Sequence, residues 1–370
     1  MTRVRARGEE IRRYLLTNVQ ANPIGISKLA MARFGVSRQA INRHLTHLVE
    51  GGALTESGQT RGREYRLAQT SQWKKDYPIH GGLAEDIVWR DDIDEVIGKL
   101  PENVRDIWFI AFTEMFNNAR DHSGGTTIRV SITKTAVNIE MAIMDNGVGI
   151  FRKIQKAMNL LDERHAILEL SKGKLTTDSS RHSGQGIFFT SRMLDAFEIL
   201  SGGLFFSHTI DSDDDWLLER TAASDGTAVF MRLDSHTART ALKVYDAFTS
   251  GEPGDMGFTK TVVPVRLAQY GEDKLVSRSQ AKRVMARVEQ FKTVVLSFED
   301  VDTIGQAFAD EIFRVYVLAH PDVSVVATST KPEVRKMIKR AQLGTGSPEI
   351  TALSPEEEAE LEAWPESTSQ

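Results

Sequence analysis

Glu114, Asn118 and Asp121 fall at i, i+4 and i+7 of an apolar-periodic stretch, Asn103 to Arg120, that follows Pro101 and Glu102, an ordinary helix start. That spacing lines up a carboxylate, an amide and a second carboxylate on one helical face. A carboxylate there can polarise a water, and the amide beside it offers Mg²⁺ a hard carbonyl oxygen that phosphate oxygens and waters would complement. An exposed polar stripe is the alternative reading of this helix taken alone. The next strand narrows the choice. In Val137 to Met144 the apolar residues Val137, Ile139, Met141 and Ile143 share one parity, and Asp145 continues it toward the same buried face. An acid turned inward needs a donor partner. An adenine amino group would be one, and Gly147 and Gly149 in Asp145-Asn146-Gly147-Val148-Gly149-Ile150 remove side chains that would keep a base from the backbone.

Two further elements extend the pattern. Ser183-Gly184-Gln185-Gly186-Ile187 opens a helical stretch, Phe188 to Phe197, and glycines ahead of a helix N-terminus make an anion site suited to α- and β-phosphates. Asp225-Gly226-Thr227 begins a strand in which Thr227, Val229, Met231 and Leu233 share a face, so Thr227 can hydrogen-bond Asp145 or a water beside the base.

In order and spacing these four elements resemble the N, G1, G2 and terminal Gly-Thr motifs of the GHKL (Bergerat-fold, HATPase_c-like) ATPase superfamily, over residues 84–235. The resemblance implies ATP and Mg²⁺ as ligands. It makes Glu114 similar to the general base, Asn118 to the Mg²⁺ ligand, Asp145 to the adenine reader, Gly147 and Gly149 to the base-side glycines, and Gly184 and Gly186 to the phosphate-loop glycines. Asp121, Ile150, Ser183, Gln185, Ile187 and Thr227 complete the expected ATP-binding set. Phe151 to His182 becomes the lid, with Lys153, Lys156, Lys172, Lys174 and Arg181 either contacting phosphate or forming a solvated surface. Asp121-His122-Ser123 resembles the ending found in the serine-kinase and histidine-kinase branches.

Ahead of this unit, residues 1–77 hold 14 Lys/Arg against 6 Asp/Glu, although the whole chain carries a net charge of -5. Nucleic acid is the partner such an asymmetry invites. Ile11 to Val19, Ile26 to Phe34 and Ser37 to Val49 read as three short helices, with Ser27 and Ser37 as caps of the second and third. Ala53 to Leu67 reads as a hairpin with basic residues at its tip. The succession resembles a winged helix-turn-helix, with Arg38, Gln39, Asn42 and Arg43 facing a groove and Arg61 and Arg63 reaching phosphate or the minor groove. A helical dimerisation or docking module has the same outline. Trp73 to Lys99 reads as a linker with a leading helix.

Beyond the unit, strands at Thr261 to Leu267, Val294 to Phe298 and Val323 to Ala327 alternate with helices at Ser279 to Phe291, Gln306 to Leu318 and Lys331 to Arg340. This small α/β layer looks like the STAS-like domains fused to some bacterial GHKL proteins. In the related anti-sigma-factor antagonists a hydroxyl follows the central strand, whereas Asp302-Thr303-Ile304-Gly305-Gln306-Ala307 places glutamine or alanine there. Phosphorylation in cis is therefore not expected.

The expected fold class is multidomain α/β: winged helix (1–72), linker and leading helix (73–98), α/β-sandwich Bergerat ATPase domain (99–240, lid 151–183), small STAS-like α/β domain (255–345) and an acidic disordered tail (346–370). The chain has 370 residues and no cysteine, which excludes disulfides and thiolate metal sites. It offers no apolar run of membrane-spanning length and no secretory h-region, and a cytoplasmic location is expected. The nine histidines make no HExxH spacing. The expected activity is a slow ATPase whose nucleotide state controls DNA or partner-protein binding, with a homodimer compatible. The alternatives are an anti-sigma-type serine/threonine kinase acting in trans and a DNA-clamping or defence ATPase.

Overall fold

The computed structural model describes residues 2–59, 62–175, 184–210, 212–249, 257–269 and 274–343. The expectations for Arg61, Arg181, Ser183 and the tail 346–370 lie outside the described residues.

The amino-terminal periodic runs fold as α1 (Thr2–Asn18), α2 (Ile26–Phe34) and α3 (Arg38–Glu50), followed by the antiparallel pair β1 (Leu54–Ser57) and β2 (Glu64–Leu67). Ile11, Leu15, Ile26, Ala30, Ile41, Leu45, Leu54 and Tyr65 meet in a core of their own. Ser37 caps α3, its hydroxyl accepting the Ala40 amide, and Gly35 ends α2 in the left-handed region. Ser27 does not cap α2. The helix begins at Ile26 on Gly25, and the Ile26 amide already donates to the Asn22 carbonyl, so the entering turn does the capping.

A five-stranded antiparallel sheet of order β3-β4-β5-β7-β6 forms the middle of the molecule: β3 (Ser71–Pro78), β4 (Thr127–Lys134), β5 (Asn138–Asp145), β6 (Ala196–Thr209) and β7 (Ser212–Asp234). Its outermost strand β3 falls in what reads as linker sequence. Lys74, Lys75 and Asp76 are exposed and Tyr77 alone is buried, so the edge position hides the strand's alternation. Helical turns at α4 (Glu85–Val88) and α5 (Asp94–Ile97) flank a π turn and lead to α6 (Glu102–Asn117). α6 lays Val104, Ile107, Trp108, Ala111, Phe112, Met115 and Phe116 into the core shared with Ile128, Val130, Ile139, Met141 and Ile143 of the sheet. The opposite sheet face carries residues such as Arg129 and Glu140, and the unit is a two-layer α/β sandwich.

Between β5 and β6 lie α7 (Ile150–Met158), α8 (Arg164–Lys172) and α9 (Gly186–Met193). The helical stretch expected to reach Phe197 stops at Met193, and the β6–β7 hairpin begins at Ala196. After α10 (Ala241–Asp246), a parallel three-stranded sheet of order β10-β9-β8 comprises β8 (Lys260–Pro264), β9 (Thr293–Ser297) and β10 (Ser324–Thr328). It is covered by α11 (Arg278–Val284), α12 (Gln306–Asp310), α13 (Val317–Ala319) and α14 (Pro332–Gln342). α12 and α13 are joined by a π turn, Glu311–Tyr316. Rings of Phe188 and Phe258 lie 4.6 Å apart and those of Phe258 and Phe291 5.0 Å, which makes the two cores continuous. Among the described residues no helix is long and apolar enough to cross a membrane.

Phe112 is fully buried against Trp89 and Phe116. Phe112→Ala is expected to cost about 3–5 kcal/mol through lost contacts and a residual cavity, whereas Leu242→Ala, at a site 66% exposed, is expected to stay within about 0.5 kcal/mol. Urea midpoints of the two variants check this.

Candidate functional site

The end of β5 lies beside the interior of β7, Asp145 opposite Thr227, so the strand expected to begin at Asp225-Gly226-Thr227 already begins at Ser212. Asp145 Oδ1 accepts the Gly147 amide at 2.8 Å, closing a tight turn. The turn then passes so near its neighbours that side chains are excluded. A Cβ on Gly147 would overlap the Ser123 carbonyl, one on Gly226 (φ +80°) the Asp145 carbonyl, and one on Gly149 would come 2.7 Å from Ser201 Oγ. The glycines thus serve crossings of the chain with itself. Past the turn the Ile150 amide donates to Ser201 Oγ and to Thr227 Oγ1, both at 3.0 Å, which fixes the first turn of α7. Thr227 Oγ1 is therefore a backbone clasp, and its amide rather than its hydroxyl supports the Asp145 carboxylate.

Burial pushes the Asp145 carboxyl above its ordinary value, against the Gly147 and Thr227 amides and the charge of Lys153, which favour the ionised form. Burial likewise lowers the Lys153 ammonium, with the Asp145 charge opposing, and its Nζ donates to the His122 carbonyl.

A cavity of about 270 Å³ opens from this point. Asp145, Lys153, His122 and Ser123 line it together with Glu114 and Asn118 of the α6 segment and Gly184, Gly186 and Ile187 at the start of α9. Ile143, Ile150, Ile154, Ile199 and Val229 supply apolar walls. Gly186 sits against the Glu114 carboxylate, where a Cβ would collide. Tyr245, partly exposed beside Phe189, has its hydroxyl pKa raised by desolvation and then by the Glu114 charge.

The arrangement fits a nucleotide. A half-buried acceptor at one end, apolar walls, and an α-helix N-terminus with two glycines at the other match base, ribose and phosphates in turn. Among the described residues no cluster of three His, Asp or Glu side chains is gathered to cage a metal. A Mg²⁺ held by Asn118 would need phosphate oxygens and water to complete its shell.

Several expected contacts sit elsewhere. Asp121 is exposed and held bidentately by Arg120 at 2.7 and 2.9 Å, and Arg120 also reaches Glu85. The helix widens into a π turn at Asn118–His122, so three residues past Asn118 rotate through less than an α-helical arc and Asp121 leaves the Glu114–Asn118 face. Gln185 is the N-cap residue of α9 and lies outside the cavity lining. Lys172 is buried on Glu169, Lys174 donates to the Gln290 carbonyl, and Lys156 is exposed. Arg38, Gln39, Asn42, Arg43 and Arg63 are all exposed, the first four on one side of α3, with Arg63 paired to Glu56 at 3.4 Å.

Sequence reasoning passed over Ser123, Asn146 and Ser201. Asn146 Oδ1 accepts the Thr126 and Thr127 amides and so ties the turn to the start of β4. The D-N-G spelling signals a turn but not this long-range partner.

Asp145→Asn is expected to separate stability from binding. The folded-state pKa of Asp145 is raised, so its ionisation opposes folding as pH rises through that value, and the penalty is present at neutral pH. The neutral variant without nucleotide should melt at or above the wild-type midpoint at pH 7, with the gap closing as pH falls below the Asp145 pKa. At a nucleotide concentration that stabilises wild type by about 2.7 kcal/mol, one hundred times Kd, the variant should show no shift in a thermal melt.

Comparison with known families follows the same division. Residues 89–204 match the family described as a histidine kinase-like ATPase domain, and residues 280–335 match a STAS-like domain of unknown function. No curated protein matches the chain. The sandwich with its cavity is thus a histidine-kinase-like ATPase domain of the GHKL type, which implies nucleotide binding, and the parallel three-stranded layer after it is a STAS-like domain.

Proposed function

We propose that this protein is an ATP- and Mg²⁺-dependent regulator, a slow ATPase whose nucleotide state sets the affinity of its amino-terminal module for DNA. The observation that carries the reading is one cavity with Asp145 at its base end and Glu114, Asn118 and the α9 N-terminus at its phosphate end. Glu114 faces the helix terminus where the outermost phosphate would lie and can take a proton from an attacking water. The amides at the start of α9 favour the negative charge of the phosphates. Asn118 would hold Mg²⁺, which supplies charge neutralisation between phosphate oxygens.

The DNA part of the proposal is supported by the succession of three helices and an antiparallel strand pair, which resembles a winged helix-turn-helix, and by the basic balance of residues 1–77. Arg38, Gln39, Asn42 and Arg43 stand exposed along α3, and Ile41, Leu45 and Leu48 face inward. That division is what a groove-reading helix needs. A change of DNA affinity with nucleotide further requires that ATP bind two conformations unequally.

Purified protein incubated with γ-labelled ATP and Mg²⁺ should release labelled phosphate slowly. Glu114→Ala should keep nucleotide affinity within about threefold and lose at least about 100-fold in turnover. Label arriving on a protein instead would favour a serine/threonine kinase acting in trans. Arg43→Ala should weaken DNA binding and reduce the slope of log affinity against log salt by about 1. Equal DNA affinity with ATP, ADP and no nucleotide would sink the regulatory reading.

A further inference from the structure

α8 joins two regions. Its residues from His165 to Lys172 are all buried, and Leu170 forms part of the nucleotide-cavity wall. Two residues on, Lys172 points to a different side of the helix, as a 100° step per residue requires. It enters the STAS-like layer. Its Nζ, on a side chain 1% exposed, donates to Glu169 Oε1 at 2.8 Å and to the carbonyls of Arg283, in the last turn of α11, at 2.8 Å and of Ala286, just beyond that helix, at 2.9 Å. The Lys172 carbonyl accepts the Thr261 hydroxyl of β8 at 2.7 Å. Arg287 adds a second cation to Glu169 at 3.1 Å.

The contact continues along the chain. The backbone at Gly173 presses on the rings of Phe258 and Phe188, where a Cβ would collide. Lys174 donates to the Gln290 carbonyl at 2.9 Å and lies 4.5 Å from the centre of the Phe291 ring.

A buried ammonium with three acceptors has no cheap intermediate position. Sliding the STAS-like domain off α8 would take from Lys172 two of its three acceptors and leave it only Glu169 of its own helix, and the Ala286 carbonyl would lose the ammonium as donor. The domain and the helix are thereby constrained to move together.

We infer that the STAS-like domain is the cis-acting reader of the nucleotide site: α8 forms the cavity wall at Leu170 and grips α11 and β8 at Lys172, so nucleotide occupancy repositions this domain mechanically. The inference rests on the ATP reading of the cavity and gives the domain a role that needs no phosphoacceptor. By reciprocity of coupled equilibria, loosening the grip must change nucleotide affinity by the same factor that nucleotide changes the grip.

Hydrogen–deuterium exchange on the full chain, with and without saturating ATP and Mg²⁺, tests it. In wild type, ATP should slow exchange both around 114–118 and 145–150 and, by at least about threefold, in 278–290. The paired substitution Lys174→Ala and Arg287→Ala, at partly exposed positions, should keep the cavity protection and lose most of that at 278–290. Lys172→Met should in addition weaken ATP by about tenfold, within the usual 5–150-fold range of coupling factors. Should Lys172→Met fail to fold, the paired variant decides the matter. ATP that protects the cavity and leaves 278–290 unchanged in wild type overturns the inference alone. The absence of ATP protection anywhere, with no thermal shift, overturns the ATP reading and the inference with it.

Discussion

The site depends on a place where four stretches of backbone meet without room for side chains. Asp145 ends β5, Gly226 and Thr227 belong to β7, Ser123 belongs to the loop before β4, and Ser201 sits on β6. Gly147 lies against the Ser123 carbonyl and Gly226 against that of Asp145, distances that a Cβ forbids. The crossing also sets the direction of everything after it. With the Ile150 amide held by the hydroxyls of Ser201 and Thr227, α7 has a fixed origin. α7 then packs against α8, whose Leu170 reaches the cavity. One tight crossing thus places the acid, the apolar wall and the helix that joins the STAS-like domain.

The same crossing sets the electrostatics. It removes water from Asp145, which raises the carboxyl's pKa, and returns two backbone amides that partly restore its charge. An acceptor so prepared is costly in the empty protein and satisfied by a donor that enters the cavity, which is the balance a binding site needs and a folding core does not. At the far end Glu114 touches Gly186 at the α9 N-terminus, where the helix dipole favours a negative group. A phosphate seated at those amides would compete with the Glu114 carboxylate for the same favourable potential.

What could be read in advance follows from which geometric periods are rigid. Strand alternation is fixed at 2, so Asp145 and Thr227 could be turned inward from the sequence, and their pairing across β5 and β7 agrees. Helix periodicity is softer. The face through Glu114 and Asn118 holds while the turn remains α-helical and fails at Asp121, where the turn is π. Nothing in local sequence announces such a turn. Asn146, Ser201 and the Ser123 carbonyl were illegible for another reason: these partners lie 19 to 51 residues away by sequence, and an isolated serine or asparagine carries no record of them. The strand β3 was hidden by its place at the sheet edge, where charged residues on both faces cost nothing.

The lysines between α7 and α9 show how an expectation of chemistry can conceal mechanics. A cation near a phosphate cavity invites assignment to phosphate, and charge alone cannot separate that from a buried ion pair. Lys172 and Lys174 instead meet carbonyls of the STAS-like domain. That domain supplies none of the described cavity-lining residues, which all fall between 114 and 229, although it shares the continuous core through Phe188 and Phe258. Two modules that share a core without sharing a cavity can be coupled by displacement. The sequence Asp302-Thr303-Ile304-Gly305-Gln306 agrees: Ile304 pairs with Leu275, Gly305 packs on Val276, and Asp302 is held by Lys331 at 2.6 Å, a set of local contacts that shapes the domain's own surface. A rigid surface carried on a nucleotide-linked helix can present itself differently in two nucleotide states without being chemically altered in either.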